Sequence, residues 1–219
     1  MHFFLANVMP RLLGLALEFS VIFLLVPLLI YYRVLPNAPI PYLLLAGLCT
    51  FLVLRHDPTF DQSRLFSWGN VRPFLVPLLV RDAIFLVFLG VAVRLFAPDL
   101  LFSLVKRAPV LWAVIMLLYP LLSVYPQELL YRAFFFHRYQ PLFGSGWTML
   151  LASAFAFGFA HIILGNWISV VLCLIGGLLF ATTYQHSNSL FLTCLDHALF
   201  GNFIFTIGLG RFFYHGSRL

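Results

Sequence analysis

Charge is scarce in this sequence. Only 9% of its 219 residues are Asp, Glu, Lys or Arg, whereas 63% are hydrophobic and the mean hydropathy is +1.01. A soluble domain usually carries about 25% charged residues. The shortage therefore excludes an ordinary soluble domain and indicates a protein of the membrane class.

The sequence also lacks basic clusters, although its formal net charge is +6. All but one of the 13 basic residues are arginines, and they stand singly between apolar segments. This spacing excludes nucleic acid as a partner and is typical of charges that flank membrane spans. The three cysteines, Cys49, Cys173 and Cys194, lie in apolar segments without metal-ligand spacing and are predicted to be buried thiols.

Long charge-free runs define the expected architecture, since residues 34–54, 108–127 and 139–195 contain no Asp, Glu, Lys or Arg. One crossing takes about 20 apolar residues, so the last run must cross more than once. Because lipid offers no hydrogen-bond partners, each crossing is predicted to be helical. The sequence thus predicts an all-α, polytopic helical membrane protein with about seven transmembrane spans. The predicted spans are 11–32, 40–55, 77–96, 109–137, 147–164, 167–185 and 189–208.

Ionisable side chains inside these spans are few, and each costs about 2.5–3.5 kcal/mol on insertion scales. Glu128 and Arg132 are four residues apart, so they share a helix face and can pair. His161 lies at the end of the fifth predicted span, and His197 lies well inside the seventh, beside Asp196. These residues are therefore candidates for a functional site.

Some of the acids are interpreted as structural. Glu18 and Asp82 stand singly near span ends, and Asp82 has Arg81 beside it. Asp196 and His197 are neighbours whose side chains point about 100° apart around the helix, so at most one of them faces a given site.

A break in the fourth predicted span indicates water near the site. Pro126 cannot donate a backbone hydrogen bond and disturbs the helix immediately before Gln127. Freed backbone groups at membrane depth are tolerated only inside protein or beside a water-filled cavity. We therefore expect water beside Gln127 and Glu128.

One carboxylate and two imidazoles on three separate spans can activate a water molecule. Either Glu128 or a histidine takes a proton from the water, and the second imidazole donates to the oxyanion that develops. Arg132 supports the carboxylate. Glu128, His161 and His197 could instead bind zinc as a His₂Glu set, so both chemistries stay open at this point.

The arrangement resembles the CPBP family of intramembrane proteases, which includes the type II CAAX prenyl endopeptidases. The family's first motif, Glu-Glu-x-x-x-Arg, corresponds to residues 127–132, which read QELLYR. The second motif, Phe-x-x-x-His, is matched by 157–161, and the third, His-x-x-x-Asn or Asp, corresponds to 197–201, which read HALFG. The resemblance covers about residues 109–208 and implies a CAAX-protease-like helical bundle with its site in a cavity among the motif helices.

The resemblance also implies a role for each matching residue. His161 would help to activate the water, and His197 would stabilise the oxyanion. Glu128 would pair with Arg132. The resemblance does not require a metal or another cofactor.

Two positions depart from the family pattern. Gln127 stands where the family has its first glutamate, and a carboxamide can hydrogen-bond a water but cannot act as its general base. Gly201 stands at the Asn or Asp position of the third motif and offers no side chain. Asn202 is the auxiliary candidate there, but only a local bulge would turn it toward the face of the histidine.

We expect one membrane domain with three parts. Residues 1–108 hold the N-terminal spans and two interfacial segments, at 55–73 and 98–109. The core over 109–208 carries the motifs, and 209–219 forms a tail.

Three functions are compatible with these patterns. The leading one is an intramembrane endopeptidase that hydrolyses a membrane-associated protein or peptide by general-base activation of water, without a cofactor. The second is a non-catalytic CPBP-like membrane protein with a binding, immunity or scaffold role, favoured by Gln127 and Gly201. The third is a zinc-dependent intramembrane protease. In each case we expect an integral protein of a bacterial plasma membrane, with the lipid bilayer and a peptide or protein as partners.

Overall fold

The computed structural model describes residues 2–66 and 71–213, with side chains over 9–65 and 71–213. Within these ranges the backbone is largely helical and contains no β-strand, which confirms the predicted all-α class. Residues 214–219 of the predicted tail lie outside the described part, as do residues 67–70 of the first predicted interfacial segment.

Seven apolar helices in the described ranges form the bundle. They are α1 (Met9–Tyr31, within a helix that begins at His2), α2 (Pro39–His56), α3 (Arg72–Phe96), α4 (Pro109–Arg138), α5 (Trp147–Leu164), α6 (Trp167–Ser187) and α7 (Leu190–Thr206). By length and composition, α1 to α6 can each cross a membrane, whereas α7 has 17 residues and is shorter. The predicted polytopic bundle is confirmed, and its seventh predicted span is this shorter helix.

The two predicted interfacial segments contain short helical turns. These are Ser63–Phe66 in the first segment, and Pro98–Leu100 with Ser103–Arg107 in the second. Gln62 anchors the first segment, because its Nε2 donates to the Leu54 carbonyl of α2 at 2.6 Å. Both segments connect consecutive spans of the bundle.

α4 contains two π-helical turns. π-helical turns at Pro120–Val124 and Leu129–Phe134 flank the short α-helical stretch Tyr125–Glu128. Proline cannot donate a backbone hydrogen bond, so Pro126 interrupts the regular ladder, and the wider turns accommodate the interruption. The helix therefore passes through the disturbance expected before Gln127 without ending, and the residues beyond it are rotated from their regular positions.

Glycines allow α5 and α6 to pack closely. A Cβ added at Gly177 of α6 would come within 3.1 Å of Ala154 Cα in α5. Gly158 of α5 is covered in the same way by Leu174 of α6. Small residues let helix backbones approach in membrane proteins. This contact fixes the helix of the second motif against α6.

Ion pairs hold the C-terminal end of α4. Arg138 Nη2 lies 2.6 Å from Glu18 Oε2 of α1, and the Tyr139 hydroxyl donates to Glu18 Oε1 at 3.0 Å. His137 Nε2 lies 2.9 Å from Asp57 Oδ2, which follows α2. Glu18 thus connects α1 to α4, as its structural interpretation requires.

The outside of the bundle is apolar. Large side chains such as Phe96 and Leu117 are exposed there, which suits contact with lipid tails. Cys49 is also exposed, so the prediction that it is a buried thiol is wrong, whereas Cys173 is buried and Cys194 is half-buried. The exterior and the long apolar helices together identify an integral membrane protein.

Candidate active site

His197 of α7 lies at the centre of the candidate site. Its Nδ1 is 2.7 Å from Glu128 Oε1, and its Nε2 is 2.9 Å from the hydroxyl of Tyr119. The ionised carboxylate only accepts, so Nδ1 carries the hydrogen, and in the neutral ring Nε2 accepts from the Tyr119 hydroxyl. The ring also stacks on Phe180 at a centroid distance of 4.5 Å. Two residues of α4 therefore fix the orientation and the tautomer of His197.

Glu128 and Arg132 form a completely buried ion pair. Oε2 of Glu128 lies 3.2 Å from Nε of Arg132, and both side chains are 0% exposed. The guanidinium carbon lies 4.8 Å from the centre of the Phe157 ring and 5.8 Å from that of Phe180. Buried charges need such compensation, since an unpaired one is strongly destabilising. One carboxylate oxygen of Glu128 faces Arg132 and the other faces His197. Glu128 therefore orients the His197 ring.

His161 occupies the end of α5, where the helix tightens into the 3₁₀ turn His161–Leu164. Its Nδ1 lies 2.7 Å from the Phe157 carbonyl. A carbonyl only accepts, so Nδ1 donates and Nε2 keeps its lone pair in the neutral ring. The Phe157 ring lies 4.8 Å from the His161 ring and 5.5 Å from the His197 ring. The histidines of the second and third motifs thus pack against the same aromatic side chain.

A cavity of about 650 Å³ lies beside these residues. Its walls are formed by α1, α2 and α4 to α7, and most of the lining side chains are apolar. Its polar lining includes Tyr119, Ser123, Gln127, His161 and His197. Glu128 and Arg132 do not line the cavity and stand behind His197. The cavity therefore combines apolar walls with a few polar groups, as ligand and active sites commonly do.

Gln127 and Gly201, which depart from the family pattern, and the auxiliary candidate Asn202 have different surroundings. Gln127 Nε2 donates to Ser123 Oγ at 2.7 Å, and its Oε1 is a buried acceptor without a protein partner in the described part. Gly201 lines the cavity. Asn202 instead donates from Nδ2 to the Met116 carbonyl at 3.4 Å. α7 is a regular α-helix here, so the bulge needed to bring Asn202 toward His197 is absent.

In the described structure, Glu128, His161 and His197 are not arranged as a His₂Glu zinc set. Nowhere in the described ranges are three His, Cys, Asp or Glu side chains placed to hold a metal ion. Glu128 Oε1 and His197 Nδ1 bond to each other, and His161 Nδ1 bonds to a backbone carbonyl. A tetrahedral His₂Glu site needs all three side chains to converge on one point, and their present bonds hold them in other directions.

A polar network lies next to the site on the other side of α7. Arg81 Nη2 is 2.7 Å from Asp196 Oδ1 and 2.7 Å from Asp82 Oδ1. The Thr183 hydroxyl donates to Asp196 Oδ2 at 2.6 Å. The adjacent Arg81 and Asp82 were a sequence signal for an ion pair, but nothing in the sequence pointed to Asp196 as its third member. The network connects α3, α6 and α7 one residue away from His197.

The fold is that of a polytopic helical membrane protein, and a buried histidine–carboxylate pair beside a cavity is the pattern of a candidate active site. Residues 109–204 match the family model of the type II CAAX prenyl endopeptidases, described as Rce1-like. The match covers less than half of the chain, and it confirms the resemblance to the CPBP proteases. All three motifs lie within it. No curated protein and no solved structure matches the chain.

Proposed function

We propose that the protein is an intramembrane endopeptidase that hydrolyses a peptide bond of a membrane-associated protein or peptide. The observation that carries this proposal is a single cavity lined by both motif histidines, with Glu128 and Arg132 directly behind His197. The family match over 109–204 supports the same reaction class. We expect the protein to act in a bacterial plasma membrane.

His161 is the proposed general base. The Phe157 carbonyl holds its Nδ1–H, so Nε2 is free to accept a proton from a water in the cavity. As the water oxygen bonds to the scissile carbonyl carbon, its proton moves to Nε2 and the carbonyl π electrons move onto oxygen. Collapse of the tetrahedral intermediate then breaks the C–N bond, and the proton passes from Nε2 to the leaving nitrogen.

Gln127 is proposed to position the water. Its Nε2 is engaged by Ser123, which leaves Oε1 as an acceptor at the cavity. A carboxamide oxygen can accept one hydrogen of the water while the other faces His161. Because Gln127 only positions the water and the His161 imidazole takes the proton, the reaction does not need the family's first glutamate.

The polar groups at the His197 end of the cavity are proposed to stabilise the oxyanion that forms from the scissile carbonyl. Glu128 holds Nδ1–H of His197, and Arg132 holds Glu128, so the imidazole cannot turn freely. Groups that are fixed before the reaction stabilise developing charge without a cost of reorganisation. Glu128 therefore contributes through His197 and not as a base toward water.

The substrate is proposed to be a peptide segment with apolar side chains. The cavity walls are mainly apolar, and its volume of about 650 Å³ lies within the common range for ligand sites, about 300–1,000 Å³. Such a segment is found in proteins and peptides that lie in or on a bilayer.

A non-catalytic binding protein is the second candidate, and Gln127 and Gly201 favour it because both lack the expected functional group. In that role the same cavity would bind a peptide without cleaving it. His161→Ala would then preserve the biological phenotype of the protein, whereas substitutions that disrupt helix packing would not.

Cleavage assays on the full chain in lipid vesicles separate these functions. A proteome-derived peptide library, read by mass spectrometry, supplies the best-cleaved peptide, which is then made fluorogenic. We expect His161→Ala to lower kcat by about 10²–10⁴-fold. His186→Ala, at an exposed histidine near the end of α6, should leave kcat unchanged. Cleavage by His161→Ala at the wild-type rate would refute the proposed base, and a wild-type protein that cleaves nothing would favour the binding protein.

A further inference from the structure

We propose that Tyr119 is a further catalytic residue, an inference that rests on the proposed endopeptidase function. Its hydroxyl donates a hydrogen bond to the oxyanion, in place of the side chain that position 201 lacks. Tyr119 lines the cavity, packs against Gly201 and bonds to His197. These three contacts place a hydroxyl donor at the third motif.

Tyr119 fills the space beside Gly201. A Cβ added at position 201 would meet Cε1, Cζ and Oη of Tyr119, so any larger residue there would displace the phenol. In the family pattern this position carries Asn or Asp, which the resemblance links to the oxyanion. The phenol therefore stands where that polar side chain would begin, and the glycine makes room for it.

The π turn of α4 explains how Tyr119 reaches the site. Residues nine apart in a regular α-helix project about 180° apart, yet Tyr119 and Glu128 bind the two nitrogens of the same ring. The π-helical turn Pro120–Val124 lies between them and changes their angular relation. One helix can therefore hold His197 at both Nδ1 and Nε2.

The hydroxyl of Tyr119 can redirect its hydrogen bond during the reaction. In the resting site, the Tyr119 hydroxyl lies 2.9 Å from Nε2 of His197, and its O–H donates to that nitrogen when the ring carries its hydrogen on Nδ1 alone. Once water adds to the scissile carbonyl, the carbonyl oxygen is an anion and a stronger acceptor, because charge-assisted hydrogen bonds are about twice as strong as neutral ones. Rotation about the Cζ–Oη bond then points the O–H at the oxyanion.

No covalent change occurs at Tyr119 in this step. The proton of the water passes through His161 to the leaving nitrogen, and the oxyanion electrons re-form the carbonyl as the C–N bond breaks. Tyr119 only donates a hydrogen bond and ends as it began. His197 then acts through Tyr119 as a positioning residue, held in turn by Glu128.

Tyr119→Phe removes the hydroxyl and keeps the aromatic ring, so it tests the hydroxyl alone. Phenylalanine keeps the ring contacts with Phe205 at 5.5 Å and His197 at 5.9 Å. We expect kcat for the fluorogenic peptide to fall about 10²–10³-fold, the effect of losing one oxyanion donor, with KM and the melting temperature nearly unchanged. Tyr139→Phe loses a hydroxyl that bonds Glu18 outside the cavity, and it should keep the wild-type kcat.

Substitutions at positions 119 and 201 test whether an Asn side chain at 201 can take over the proposed hydrogen bond of Tyr119 to the oxyanion. Gly201→Asn alone should abolish cleavage, because its Cβ meets the phenol. In Tyr119→Ala, which opens the space, adding Gly201→Asn should raise kcat about tenfold or more above Tyr119→Ala alone. The same fractional loss from Gly201→Asn in both backgrounds would overturn the proposal.

Different results would refute the role of Tyr119 and the endopeptidase function. If the wild-type protein cleaves and Tyr119→Phe cleaves at the same rate, the role of Tyr119 is wrong and the endopeptidase function stands. If the wild-type protein cleaves no peptide of the library, the endopeptidase function is wrong and the role of Tyr119 is wrong with it.

Discussion

Arg81 of α3 and Asp196 of α7 form an ion pair of 2.7 Å, one residue away from His197. Asp196 is completely buried and also accepts a hydrogen bond from Thr183 of α6 at 2.6 Å. Neighbouring side chains on a helix point about 100° apart, so this pair holds α7 in the rotation that turns His197 toward α4. Contacts outside the cavity therefore help to set the geometry inside it.

Asp196→Asn keeps the shape of this side chain and removes its charge. We expect the free energy of unfolding to fall by about 1.5–3 kcal/mol, the range for hydrogen bonds to charged groups, and kcat to fall as His197 loses its fixed position. Thermal unfolding in detergent and the cleavage assay measure both effects. Asp99→Asn, at an exposed acid, is the matched control. An Asp196→Asn protein with wild-type stability and kcat would show that α7 does not depend on the pair.

Glu128→Gln removes the charge that compensates Arg132 inside the bundle. Because an uncompensated buried charge is left behind, the free energy of unfolding should fall by about 3–5 kcal/mol, and cleavage should be lost. Replacing both residues, with Glu128→Gln and Arg132→Met, should restore most of the stability. Cleavage should stay lost in the double variant, because His197 Nδ1 no longer faces a carboxylate. Recovered cleavage would show that Glu128 does not orient His197.

Some site residues could be predicted because they are unusual in a membrane span. Glu128 and Arg132 stand out as charges at a helical spacing, and His161 and His197 stand out as imidazoles in apolar runs. The structure brings Glu128 and His197 into direct contact and places both histidines on one cavity. Their chemistry was visible from residue type alone.

Tyr119 could not be predicted in the same way. A tyrosine in an apolar run is ordinary, and its place at His197 depends on a π turn and on the space beside Gly201. Both are tertiary features without a local pattern. Asn202 shows the converse, because its position in the sequence made it a candidate, while the regular path of α7 directs it to the Met116 carbonyl.

Substitutions at Gln127 test its proposed contact with water. Gln127→Leu removes the acceptor at the cavity and should lower kcat about tenfold, an effect near the cost of one hydrogen bond. Gln127→Glu supplies a carboxylate that can act as a second base, so kcat should rise. Both are measured with the fluorogenic peptide at saturation. A wild-type kcat in Gln127→Leu would exclude a contact between Gln127 and the attacking water.

Chelation tests whether the reaction needs a metal. Because Glu128, His161 and His197 are not arranged to hold an ion in the described structure, we expect 1,10-phenanthroline and EDTA to leave kcat unchanged. Metal analysis of the purified protein should find far less than one zinc per chain. Loss of cleavage on chelation, with recovery on addition of zinc, would contradict the proposed mechanism and support the zinc alternative.

Hydrolysis in H₂¹⁸O, compared between the wild-type protein and His161→Ala on the same vesicle-bound peptide, bears directly on the endopeptidase function. If His161 activates a water that attacks the scissile carbonyl, mass spectrometry will find one ¹⁸O atom incorporated into the new C-terminal carboxylate. His161→Ala will form little or no labelled product in the same time. No product from the wild-type protein would contradict the endopeptidase function, whereas labelled product at equal rates from both proteins would contradict the role of His161 as its base.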